Sequence, residues 1–149
     1  MQNKTILLVE DNRDDEELTL RALRKNNISN DIVVARNGVE ALDYLFAEGI
    51  HLGRNLSLMP QVVFLDLNLP KLSGLEVLRR IRADDRTKLL PVVILTSSNE
   101  DRDRIEGYGL RANSYVRKPV DFNQFMEVSR QLGLYWLVLN QPPGVAESK

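Results

Sequence analysis

The chain is predicted to fold as an α/β domain, a doubly wound five-stranded parallel sheet built as (βα)5, and three observations predict it. Short apolar runs recur without polar interruption, at Thr5–Val9 (TILLV), Val62–Leu65 (VVFL) and Val92–Thr96 (VVILT), as in strands covered on both faces. Between them apolar residues recur at helical spacing, so strand and helix alternate. The runs also end on polar side chains, which a parallel sheet gathers on one rim, outside the carboxyl ends of its strands.

In order, Thr5 to Val9 is the first strand and ends on Glu10 and Asp11. Asn12 to Asn26 reads as a helix with Leu18, Ala22 and Leu23 on one face. Asp14, Asp15, Glu16 and Glu17 fill its first turn, where acids suit the positive end of the helix dipole. Ile32 to Ala35 is the second strand, and Asn37-Gly38 opens a helix carrying Val39, Leu42, Leu45 and Phe46. Gly49 to Pro60 lapses into a loop longer than the usual connection. The organising stretch follows: Gln61 to Pro70 (QVVFLDLNLP) delivers a single carboxylate, Asp66, at the end of the third strand.

After Lys71-Leu72-Ser73-Gly74 a third helix turns Leu75, Val77, Leu78 and Ile81 inwards. Pro91 opens the fourth strand, which ends on Thr96. Ser97, Ser98 and Asn99 are N-cap candidates for a fourth helix from near Glu100, weakly anchored by Ile105, Tyr108 and Leu110. Asn113 to Arg117 is the fifth strand, followed by Lys118-Pro119, and a fifth helix runs from about Asp121 towards Leu139. Residues 1–140 thus read as one domain and 141–149 as a flexible tail.

Composition narrows the function classes. With 149 residues, 43% hydrophobic and 28% charged, one core suffices. A net charge of -1 supplies no basic field for nucleic acid. The absence of cysteine excludes disulfides and thiolate metal sites. The first apolar run is too short for a signal peptide, and no stretch approaches a membrane span, so a cytoplasmic domain without membrane contact is expected.

The rim carries the chemistry. Glu10 and Asp11 end strand one, Asp66 strand three and Thr96 strand four, while Lys118 follows strand five. Three crowded carboxylates repel one another unless a divalent cation neutralises them, and hard oxygen donors with open positions suit Mg2+. Lys118 and Thr96 add an ammonium and a hydroxyl, which suit a phosphoryl group. Asp66 is then the natural nucleophile, forming an aspartyl phosphate.

These motifs resemble the receiver domains of two-component response regulators, the CheY-like group with the flavodoxin-like strand order 2-1-3-4-5. The resemblance rests on LLVEDN, VVFLDLNLPKLSG, VVILTS and SYVRKP, in that order, and covers Thr5 to about Leu132. It implies a signalling switch rather than an enzyme, in which Asp66 accepts phosphate from a phosphohistidine of a sensor histidine kinase. Asp11 and Asp66 would bind Mg2+ directly, Glu10 largely through water, and Asn68 through its backbone carbonyl. It further implies phosphoryl contacts from Thr96 and Lys118, a cis bond before Pro119, and a switch role for Tyr115, which turns inwards when Thr96 moves. The acidic pair departs from the commoner Asp-Asp. The long loop before the Asp66 strand and the aromatic end LGLYWLVLNQPPG resemble the small stand-alone regulators paired with phytochrome-type histidine kinases.

Each residue also has a plainer reading. Asp66 alone reads as a turn residue, Thr96 as a capping hydroxyl, Lys118 as a surface lysine and Tyr115 as a gap filler. His51 reads as a solvated loop residue, and Asp14 to Glu17 as a solvated helix start. On the last helix, Phe122, Phe125, Met126, Ser129, Gly133 and Trp136 would pack on the sheet. Val128, Leu132, Tyr135 and Leu139 form a second apolar stripe. A second stripe implies a cover, either the domain itself or a homodimer through the fourth helix, fifth strand and fifth helix.

Other classes are weighed against this. A dehalogenase-type hydrolase needs a second acid two residues after its nucleophile, where this chain has Asn68. A flavin domain needs a Ser-, Thr- and Gly-rich loop after strand one, where this chain is acidic. A non-phosphorylated interaction module remains the alternative.

Overall fold

The computed structural model describes residues 5–24, 31–56, 58–96, 105–106, 109–118 and 122–131, with the backbone alone for Thr96, Phe122, Phe125, Val128, Ser129 and Gln131. Five strands, β1 (Ile6–Val9), β2 (Ile32–Ala35), β3 (Val62–Asp66), β4 (Val92–Thr96) and β5 (Ser114–Arg117), form one parallel sheet in the order β2-β1-β3-β4-β5. Strands β1 and β3 are buried throughout and β4 over 92–95, as their uninterrupted apolar runs require.

Successive residues feed opposite faces. Ile6, Leu8, Val62, Phe64, Val93 and Leu95 join Leu20 and Leu23 of α1 (Arg13–Arg24) on one side, with Met126 of the last helix (Phe122–Gln131) packed against them. Leu7, Val9, Val63, Leu65 and Ile94 meet α2 (Gly38–Phe46) and α3 (Gly74–Ala83) on the other. No helix of the described residues is long and apolar enough to cross a membrane.

Caps fix where the helices start. Asn37 Oδ1 accepts from Glu40 N at 2.8 Å, and Ser73 Oγ from Glu76 N at 3.2 Å. The long loop is built onto α2. Arg54 donates to the carbonyls of Tyr44 and Leu45 at the end of α2 and stacks over the Tyr44 ring at 4.2 Å, while a 3-10 turn at Gly49–His51 leaves Ile50 and Leu52 exposed.

Two helix faces differ from the sequence expectation. Leu18 is 37% exposed, and the buried stripe of α1 is Thr19, Leu20, Ala22 and Leu23, with Leu18 at its edge. Val39 is 44% exposed, and Tyr44 joins Leu42 and Leu45 inside instead. His51 is half-buried rather than solvated, its ring edge-on to Tyr44 at 5.1 Å. The expected cis bond at Pro119, the caps at Ser97–Asn99, most of the fourth helix, the second stripe's Leu132, Tyr135 and Leu139, and the tail lie outside the described residues.

Candidate functional site

Strand register assembles the site. Val9 of β1 pairs with Leu65 of β3, so Glu10, whose N–H still bonds Ala35 O at 2.9 Å, comes level with Asp66. Asp11 follows where the chain leaves the sheet and is exposed. Glu10 is fully buried and Asp66 nearly so. Asn68 N donates to Asp66 Oδ1 at 3.1 Å, which leaves Oδ2 for Lys118 Nζ at 3.0 Å.

Glu10, Asp11 and Asp66 each offer an oxygen within 4.8 Å of the others. Two full charges at that separation repel by roughly 3–4 kcal/mol at an effective dielectric constant of about 20. Burial first, then the hydrogen bond and charge of Asp66, push the Glu10 carboxyl up to about 8, against the pull of Lys118 and of the Asn12 N–H. Lys118 Nζ lies 3.2 Å from Glu10 Oε1 but off the hydrogen-bonding direction, so this buried oxygen has no hydrogen-bond partner among the described residues. An orphaned oxygen, two neighbouring carboxylates and an open side at Asp11 make a donor set that fits a divalent cation.

Lys118 is the counter-charge. Burial alone would lower its pKa, but the carboxylates of Asp15, Asp66 and Glu10 outweigh burial and raise it above the ordinary lysine range. The Asp15 contact, 2.9 Å from Oδ2 to Nζ, was not legible in the sequence, where Asp15 reads as one of four solvated helix-start acids. Its neighbour Glu16 is also engaged, by Arg36 at 2.9 and 3.3 Å. No local motif marks either pair, because each forms only when the sheet folds.

The structure therefore brings Glu10, Asp11, Asp66 and Lys118 together, with exposed Asn68 two residues beyond Asp66. Thr96 ends β4 on the same edge, its backbone paired with Arg117. Tyr115 is half-buried in β5 and lines a cavity of about 230 Å³ with Arg82, Glu106, Leu110, Arg111, Ala112 and Asn113.

Residues 6–130 match the family model of the response regulator receiver domain. Among curated proteins, the chain is 41% identical to a probable methanogenesis regulatory protein, FilR2 of Methanothrix harundinacea, over 95% of this chain and 88% of that one. It is 34% identical to the response regulator Rcp1 of Synechocystis, over 90% and 89%. Among solved structures, it is similar to the bacteriophytochrome response regulator RtBRR (TM-score 0.86, 49% identity, 97% of this chain and 86% of that one). It is also similar to a phosphorylated cyanobacterial phytochrome response regulator, RcpA (0.73, 36%, 91% and 94%), and to an Mn(2+)-bound form of Rcp1 (0.72, 34%, 90% and 94%).

Proposed function

The chain belongs to the response regulator receiver family, and on that premise we propose that it is a phosphoryl-accepting switch in which Asp66 takes a phosphoryl group from a sensor histidine kinase. The observation that carries this reading is the Asp66 carboxylate, buried and oriented by Asn68 N, with one oxygen 3.0 Å from Lys118 and two further acids alongside. An Asp66 oxygen attacks phosphorus and the new O–P bond forms as the P–N bond to the donor histidine breaks. The imidazole leaves with the bonding pair and takes its proton from water.

Lys118 and Thr96 carry the charge of the transferred oxygens. The proposed ion is Mg2+, held by Asp11 and Asp66, by Glu10 largely through water and by the Asn68 carbonyl; when bound, it neutralises charge on the transferred oxygens. Tyr115 is the switch aromatic, reading a movement of Thr96. The likeness to phytochrome response regulators supports a phytochrome-type kinase as partner, and the output is a changed protein surface. To take the active form from 1% to 99%, the phosphoryl group must favour it by about 5.5 kcal/mol, so partial activation beforehand is in keeping with the demand.

Intact-mass analysis after incubation with Mg2+ and acetyl phosphate tests the reading. A metal-dependent phosphate adduct is expected on the wild type and not on Asp66→Asn. A wild type that takes neither phosphate nor beryllofluoride would instead be a non-phosphorylated interaction module.

A further inference from the structure

The Lys118 ammonium has three N–H donors and three carboxylates around it: Asp15 Oδ2 at 2.9 Å, Asp66 Oδ2 at 3.0 Å and Glu10, whose Oε2 accepts at 3.4 Å. Two belong to the buried acids at the ends of β1 and β3. The third comes from another layer of the fold, the first turn of α1, and is not one of the three acids that cluster for a cation. Asp15 also differs in exposure, its side chain being 32% accessible against 0% for Glu10 and 4% for Asp66.

Nor is the contact a loose surface pairing. Asn12 Oδ1 accepts from the N–H of Asp15 at 2.9 Å, and Arg36 clasps the next residue, Glu16, with both terminal guanidinium nitrogens. The first turn of α1 is therefore tied to the β1 end on one side and to the β2 end on the other. The Asp15 carboxylate is delivered to the mouth of the site by the helix.

We propose that Asp15 is a positioning residue of the phosphoryl-transfer site, which holds one N–H of Lys118 in the unphosphorylated protein and competes for it with the incoming phosphoryl group. The proposal rests on the reading of Asp66 as phosphoacceptor and deepens it. Phosphorylation replaces one carboxylate charge on Asp66 by a group with about two negative charges and three strong acceptor oxygens. Those oxygens need the Lys118 donors. Asp15, the carboxylate with access to water, is the partner that gives up its N–H at least cost. While it keeps that N–H, Asp15 favours the unphosphorylated form, and because the pair is partly exposed the effect is modest, about two- to fivefold.

The test measures beryllofluoride affinity at saturating Mg2+, together with the rate of phosphate uptake from acetyl phosphate. Asp15→Asn is expected to bind the mimic about two- to fivefold tighter than wild type and to be phosphorylated faster. Asp15→Glu restores wild-type behaviour, and Asp15→Asn has no further effect in a Lys118→Gln background. Unchanged or weaker mimic binding by Asp15→Asn overturns the proposal, as does an equal gain without Lys118, which would mean that the charge acts on the phosphate directly. A merely structural role would lower the melting temperature of Asp15→Asn without tightening the mimic. Failure of the underlying switch reading looks different: the wild type and every variant alike bind Mg2+ but neither mimic nor phosphate.

Discussion

Glu10 carries the clearest pH signature. Its carboxyl is raised from 4.5 to about 8, by burial above all and then by Asp66. The unfolded chain releases that proton first as pH rises. The stability associated with the buried, protonated Glu10 is thus fully present below about 4.5 and lost as pH climbs through about 8. Thermal melts from pH 5.5 to 8.5 without metal are expected to show a falling midpoint in the wild type and a flatter profile in Glu10→Gln. Equal slopes would assign the proton elsewhere. Added Mg2+ is expected to flatten the wild-type slope too, because a bound cation replaces the proton as the neutraliser.

At the scale of elements, the β3–α3 connection decides how well Asp66 is held. A Cβ on Gly74 would lie 2.3 Å from Asp66 O and 2.6 Å from Leu67 Cα, both backbone atoms, so relief requires the end of β3 itself to shift. Gly74→Ala is expected to cost about 1–3 kcal/mol in urea unfolding and to slow phosphate uptake as well. Ser73→Ala, which removes only the cap of α3, is expected to cost about 1 kcal/mol and leave uptake unchanged. If Gly74→Ala matched Ser73→Ala in both readings, the close approach would have no functional weight. Elements were legible unequally. The strands could be read because both faces are covered and nothing polar interrupts them. Helix faces were harder, since an apolar residue such as Leu18 or Val39 does not state whether it lies at the centre or the edge of the buried stripe. Asp66, Glu10, Asp11 and Lys118 were legible as strand-end residues, whereas the role of Asp15 depends on a contact between distant segments that no local pattern encodes.

For the whole molecule, two apolar layers share one sheet, so neither can be lost alone. Phe64 fills the layer beneath α1 and the last helix, while its neighbour Leu65 faces α2 and α3. Phe64→Ala is expected to cost about 3–5 kcal/mol, a large part of the stability of a domain this size. Guanidinium unfolding followed by both near- and far-ultraviolet circular dichroism is expected to remain a single coincident transition at a lower midpoint. Two separated transitions would mean that the layers unfold independently.

The pairing of Val9 with Leu65 has a consequence beyond holding strands together. The spacing of Glu10 from Asp66 is borrowed from the ladder between β1 and β3, whose strands lie about 4.8 Å apart. A slip of one residue would turn one of these acids to the opposite side of the sheet. The acidic rim thereby works as a gauge of correct assembly: a chain folded in the wrong register lacks a matched pair to grip an ion, so tight metal uptake by a preparation doubles as proof-reading of its fold.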